Sequence, residues 1–181
     1  MQTPYFSVVM PVQNREKMVK TAIESVINQT FRDWELIVVN DHSTDNTRRV
    51  VKKYIKRDSR IHLYNLPKEK TGVAHARHFG NQKAKGEIIA VADSDDISYP
   101  NRLQTTHNYF KSNPLVDIFY SNTIILHEAS GKKEVRWFQP FNADLLKQVD
   151  YIPNATSAYK KSTYNSVQGY DPNFIVASDY E

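Results

Sequence analysis

The chain has 181 residues, 40% of them hydrophobic and 24% charged, enough for one globular core and inconsistent with a disordered or fibrous polymer. It contains no cysteine, which excludes disulfides and thiolate metal sites, and no apolar run nears the ~20 residues of a membrane helix or forms an N-terminal signal segment. The formal net charge of +4, without a long basic run or an aromatic-interleaved motif, suits a phosphorylated small molecule as well as nucleic acid.

In chain order, Phe6-Ser7-Val8-Val9-Met10 is a β-rich run closed by Pro11. From Asn14 onward, Val19, Ala22, Ile23, Val26 and Ile27 fall at helical spacing. Phe31 to Trp34 makes the return, and Glu35-Leu36-Ile37-Val38-Val39 reads as a second buried strand ending at Asn40-Asp41. This strand-helix-strand unit implies a parallel sheet. Residues 41–47 are rich in side chains that bond to backbone at helix starts, and Val50, Val51, Tyr54 and Ile55 continue as an apolar helical stripe. Asp58-Ser59 ends that helix, Ile61 to Tyr64 forms a short third strand, and Pro67 to Gly72 is a charged loop. Val73 to Lys85 reads as a helix bearing His75, Arg77 and His78, stopped by Gly86.

Ile88-Ile89-Ala90-Val91-Ala92 then runs straight into Asp93-Ser94-Asp95-Asp96. The apolar part suits a central strand covered on both faces, which sets three carboxylates at the strand end where open α/β sheets bind ligands. Crowded carboxylates repel unless a cation neutralises them, and a divalent metal is the economical one. The competing role, capping the next helix, would need only one of them. Further on, Pro100 suits the first turn of a helix over Asn101 to Lys111, with Leu103, Tyr109 and Phe110 available to pack. Asp117 to Tyr120 is another strand, and Ile124 to Leu126 and Glu134 to Phe138 flank Ala129-Ser130-Gly131-Lys132 as a hairpin. No internal repeat or interdomain linker interrupts this order. The close on Ala177-Ser178-Asp179-Tyr180-Glu181 reads as a cut inside an element of a longer protein.

Four stretches taken together carry a resemblance: residues 6–14, Val39 to Asp45, Ala76-Arg77-His78-Phe79-Gly80, and Asp93 to Asp96. In this order they resemble the motifs of the inverting, nucleotide-sugar-dependent glycosyltransferases of the GT-A fold, the family 2-like group, over nearly the whole chain. The resemblance implies an α/β fold, a GT-A (Rossmann-like) mainly parallel sheet sandwiched by helices with a smaller mixed β segment on the acceptor side. It implies one catalytic domain over 1–181, with a nucleotide-binding half at 1–96 and an acceptor-side half at 97–181.

The resemblance also implies roles. Pro11, Val12 and Asn14 would line the nucleotide pocket, and Asp41 would accept from the base, usually uracil, as suits an acceptor-only carboxylate. Arg77 would approach the diphosphate or shape the base pocket, while Asp45 is preferred as a helix cap and His75 and His78 as solvated or packed. Asp93 would touch ribose or metal, Ser94 would lie in the donor site, and Asp95 would bind Mn²⁺ or Mg²⁺, ions that keep waters and bridge phosphates. The base for the acceptor hydroxyl would be Asp179, following Gly169-Tyr170-Asp171, with Ser178 where the family more often has Glu. Pro153 to Ser157 and Trp137 are candidate acceptor contacts, better explained as structural.

The implied function is transfer of a sugar, with inversion, from a nucleotide diphosphate donor, with UDP expected, to an acceptor hydroxyl in polysaccharide or cell-surface glycan synthesis. Implied partners are the donor and a glycan or lipid-linked acceptor, with no nucleic acid and with a homodimer as an option. The expected location is cytoplasmic, extending to the inner face of the membrane. The alternatives are a non-catalytic nucleotide-sugar-binding module and a sugar-phosphate nucleotidyltransferase, the latter disfavoured because Pro11-Val12-Gln13-Asn14 stands where a Gly-rich loop would be.

Overall fold

Strand β1 (Phe6–Val12) is the axis of the molecule, because it pairs in parallel with β2 (Trp34–Asn40) on one side and β4 (Ile88–Val91) on the other. The computed structural model describes residues 3–127, 129–149 and 151–170. Every residue of β2 and β4 is buried, as expected of strands covered on both faces. β3 (Ile61–Asn65) extends the parallel sheet beyond β2.

The connecting helices are α1 (Val19–Ile27), α2 (Thr47–Ile55), α3 (Val73–Lys83) and α4 (Arg102–Ser112). Val19, Ala22, Ile23 and Val26 of α1, Val51 and Tyr54 of α2, and Leu103 and Phe110 of α4 share one core with Phe6, Val8, Met10, Leu36 and Val38. The opposite sheet face, Val9, Ile37, Val39 and Ile89, packs with Ala76 and Ala84 at α3 and its end, and with Tyr164. Gly80 lets α3 approach β1 closely, since a Cβ there would lie 2.5 Å from Val9 Cγ1.

β1 continues through Pro11, where the sequence pattern ends the strand at Met10. The Val12 carbonyl accepts from Asp41 N and the Val9 carbonyl from Ala92 N, so main-chain groups alternate between the two neighbours. Pro11 therefore directs its missing N–H toward the β4 side, where pairing has already stopped at Val9 and Val91.

Past α4 the chain adds antiparallel pieces. β5 (Ile118–Phe119) forms the sheet edge; β6 (Thr123–His127) and β7 (Lys132–Arg136) make a separate hairpin; α5 (Ala143–Leu146) is a single turn. A short 3₁₀ turn at Asn154–Thr156 leads to β8 (Ala158–Lys160) and α6 (Lys161–Ser166). β8 inserts between β4 and β5, antiparallel to both, giving the order β3-β2-β1-β4-β8-β5. No described helix is long and apolar enough to cross a membrane.

Candidate functional site

The chain enters β2 from β1 and β3 from β2 on one side, then crosses to β4 on the other flank of β1. Such a reversal opens a crevice at the carboxyl ends of the strands. The cleft found there has a volume of about 240 Å³ and is bordered by four stretches: Pro11, Val12, Gln13 and Arg15 after β1; Asp41 after β2; Gly72, Val73 and Ala76 at the start of α3; and Asp93, Ser94 and Asp95 after β4.

Each acid in it is held differently. Asp41 is only 5% exposed; it accepts from Gly72 N at 2.8 Å and from the Thr71 hydroxyl at 3.1 Å, which pins the 71–72 corner over the end of β2. Gly72 has φ +98°, a conformation that an L side chain rarely adopts, so glycine is required there by backbone shape. A carboxylate offers about four acceptor sites, so Asp41 keeps capacity for a donor arriving through the cleft. Asp93 is paired with Arg77 (3.1 Å) and Asp95 with Arg15 (3.2 Å). Burial, followed by the charges of Asp93 and Asp95, pushes the Asp96 carboxyl above the ordinary aspartate range. Arg102 lies beneath, donating to the Val91 carbonyl at 2.6 Å and to Ser98 Oγ at 3.1 Å; burial pushes it down to about 10 against the opposing pull of Asp93 and Asp96. Arginines thus answer part of the charge of the crowded carboxylates.

The sequence-derived residues divide in two. Pro11, Val12, Asp41, Asp93, Ser94 and Asp95 all border the cleft. Asn14 and Arg77 stand behind it. Asn14 Oδ1 accepts from Thr44 N at 2.9 Å and its own N–H donates to Ser43 Oγ at 3.0 Å, tying the first loop to the second; its φ of +51° is tolerated by asparagine better than by most residues. Arg77 is buried against Asp93, and its Nε has no hydrogen-bond partner. Asp45 accepts from Thr47 N (2.9 Å) and Glu16 N (3.1 Å) at the start of α2; burial would raise its carboxyl, and the bonds from Thr47 and Glu16 outweigh that and lower it. His78 bonds Gln82 and Tyr164, and Trp137 is 77% exposed. Asp171 and Asp179 lie outside the described residues.

Sequence reasoning missed Gln13, Arg15, Gly72, Val73 and Ala76 in the cleft, and Gln29 behind it. Gln29 is 1% exposed; its amide nitrogen donates to Ser25 O and Tyr99 O, and its oxygen accepts from Leu103 N. It thereby fixes the 98–103 turn that follows the acids. Glutamine at the end of an amphipathic helix gives no sequence signal for this.

Positive potential comes from Arg15 and from the N-terminus of α3, whose free N–H groups favour anions. Beside it stand two carboxylates. Mg²⁺ or Mn²⁺ needs only one or two protein carboxylates when waters and substrate phosphates complete its shell, so Asp93 and Asp95 fit such an ion by donor chemistry. Among the described residues no group of three or more His, Asp or Glu side chains is arranged to hold a metal.

A mainly parallel sheet between helices, an antiparallel extension and an acid-lined cleft at the switch point define the GT-A class of glycosyltransferase fold. The chain belongs to glycosyl transferase family 2, whose family model matches residues 7–169. It is 39% identical over 170 residues to the putative glycosyltransferase EpsE of Bacillus subtilis, covering 92% of this chain and 60% of that protein. It is 38% identical over 124 residues to the UDP-Glc:alpha-D-GlcNAc-diphosphoundecaprenol beta-1,3-glucosyltransferase WfgD of Escherichia coli, covering 68% of this chain and 47% of that one. Its fold matches S. aureus TarS 1-349 in complex with UDP with a TM-score of 0.78 at 21% identity, over 97% of this chain and 52% of that 1-349 chain. The chain thus spans less than two thirds of each of these relatives.

Proposed function

We propose that the cleft binds a nucleoside diphosphate sugar, with UDP as the nucleotide, and that the whole protein transfers the sugar with inversion to an acceptor hydroxyl in glycan synthesis. The observation that carries the reading is the meeting of Asp41, Asp93, Asp95, Arg15 and the α3 N-terminus around one cleft. That set offers Asp41, bonded at the start of α3, as an acceptor for a base N–H, and Arg15 with Asp93 and Asp95 as cationic and anionic groups for a diphosphate. The WfgD name, which specifies UDP-Glc, and the TarS complex with UDP support the choice of uridine.

Asp41 reads the base by accepting from the uracil N3–H, because a buried carboxylate acceptor disfavours cytosine and adenine, which present a ring-nitrogen acceptor at the corresponding position. Pro11 and Val12 supply the apolar wall, and Arg15 meets the diphosphate. Asp95, with Asp93, would hold Mn²⁺ or Mg²⁺, which when bound supplies Lewis-acid stabilisation of the departing nucleoside diphosphate. Arg77 fixes the rotamer of Asp93 from below. The acceptor proton is taken by a carboxylate in the 171–181 segment, with Asp179 first and Asp171 second. Asp179→Asn in the full-length protein should leave donor binding intact and slow transfer by roughly 10²–10⁴.

Thermal shift against uridine, guanosine, cytidine and adenosine diphosphates, with Mn²⁺ and then with chelator, tests the donor reading. A ligand at 100 times its Kd stabilises by about 2.7 kcal/mol. UDP with Mn²⁺ should give the largest shift; a profile flat across all four nucleotides would remove the reading.

A further inference from the structure

The six exposed positions between Thr47 and Arg57 are all basic: Arg48, Arg49, Lys52, Lys53, Lys56 and Arg57. A linear scan finds no basic run, since Val50, Val51, Tyr54 and Ile55 interrupt the pattern. The helix gathers what the sequence separates. Val51 and Tyr54 turn into the core, while residues 48, 52 and 56 form one outward row and 49, 53 and 57 the next.

This arrangement partly opposes the stability of α2: it contains like charges at i,i+4 in both rows, and Arg48 and Arg49 sit in the first turn, against the positive end of the helix dipole, whereas Lys52 and Lys53 in the last turn suit it. Nearby acids do not compensate. Asp58 is taken by Arg60 at 2.7 Å, Glu24 accepts from the Tyr54 hydroxyl at 2.7 Å, and among the described residues none of the six has a carboxylate within salt-bridge distance. A face of six cations with no carboxylate partner among the described residues suits an external polyanion.

We propose that this face of α2 docks the protein electrostatically on an anionic lipid surface. The exposed positions include no apolar or aromatic side chain, so the helix neither inserts nor stacks on bases. Its N-terminal turn, the part that a groove-reading helix would present to nucleic acid, is flanked by Glu16 and Asp45, whose carboxylates bond Asn46 N at 2.8 Å and Thr47 N at 2.9 Å. A bilayer of anionic headgroups is a broad negative plane that meets both rows at once. Because α2 springs from the loop that begins at Asp41, docking holds the cleft within about one helix length, roughly 14 Å, of the headgroups. The inference is independent of the donor reading.

The test is co-sedimentation with phosphatidylcholine vesicles, with and without phosphatidylglycerol, for the parent chain and the triple variant Lys52→Gln, Lys53→Gln, Lys56→Gln. The parent should bind only phosphatidylglycerol vesicles and release as salt rises from about 0.1 M to about 1 M, where the screening length falls from ~10 to ~3 Å. The triple variant should partition about 100-fold more weakly, at about five-fold per basic residue, with a melting temperature close to the parent's, because relief of the i,i+4 repulsion and loss of the favourable last-turn lysines oppose each other. The double variant Lys132→Gln, Lys133→Gln on the β6–β7 hairpin should bind as the parent does. Parental partitioning by the triple variant, equal binding to phosphatidylcholine alone, or binding that survives high salt overturns the proposal. So does retention of duplex DNA under conditions where no vesicle binds.

Discussion

Leu36 in β2 is fully shut off from water, whereas Leu126 in β6 keeps half of its surface exposed. The same contrast separates residues 6–112 from residues 113–170. In the first region helices cover both sheet faces, and every cleft residue comes from its strand ends and helix starts. In the second, Ile124, Ile125, Leu126, Val135, Trp137 and Phe141 are all exposed. A two-stranded ribbon of this kind is marginal in isolation. The difference teaches that the site is carried by the doubly covered part, and that the later region adds β8 and β5 to the sheet and, among the described residues, no wall to the cleft.

Substitutions can break this comparison. Leu36→Ala should cost about 2–5 kcal/mol in urea unfolding, and Leu126→Ala less than ~1 kcal/mol; equal losses would mean that the hairpin is as tightly packed as the sheet. The glycines give the next largest contrast. A Cβ at Gly86 would sit 2.5 Å from Ser7 N and 2.7 Å from Phe6 C, backbone atoms that cannot move aside, so Gly86→Ala should cost about 3 kcal/mol. At Gly131, φ is +68° with no atom within 4 Å, so Gly131→Ala should cost only the backbone strain, about 1 kcal/mol.

The smallest contrast is electrostatic. Asp58 accepts from Arg60 Nη2 at 2.7 Å and Nε at 3.0 Å, and the Arg60 guanidinium lies 3.6 Å from the Trp34 ring centroid. The Arg60 bond, with burial opposing, lowers the Asp58 carboxyl. A lowered acid stabilises the native state above its unfolded pKa, and that stability is lost as pH falls through the native value. Asp58→Asn should therefore cost about 1 kcal/mol at neutral pH, allowing for solvent screening, and the gap to the parent should close as pH drops below the ordinary aspartate value near ~4. Asp144, whose side chain is 88% exposed and paired with Lys147, sharpens the contrast: Asp144→Asn should change stability by less than ~0.5 kcal/mol at neutral pH.

What could be read from the sequence follows the same division. β1, β2 and β4 are legible because burial on both faces leaves continuous apolar runs, and Asp93 and Asp95 stand out because charge follows such a run abruptly. β8 was illegible: Ala158-Tyr159-Lys160 is too short to alternate, and it is a strand only because β4 and β5 both offer an edge. Arg15 was illegible too, since its partner Asp95 is 80 positions away. Local periodicity carries no information about a salt bridge closed by topology. Gln29 and Arg102 act through backbone groups of other segments, which leaves no pattern in their own neighbourhood.

The central claim is that the acids after β4 serve a nucleoside diphosphate through a divalent ion. Calorimetry of UDP with the parent and with Asp95→Asn, each with Mn²⁺ and with chelator, tests it most directly. Loss of an outer partner of a metal ligand commonly weakens metal affinity by 10- to 100-fold, so removing a ligand itself should lower Mn²⁺-dependent UDP affinity by at least about 10-fold. The chelated parent should fall to the level of the variant. Equal UDP affinity in parent and Asp95→Asn, unchanged by chelator, would contradict the account and leave Asp95 as the anchor of Arg15 alone.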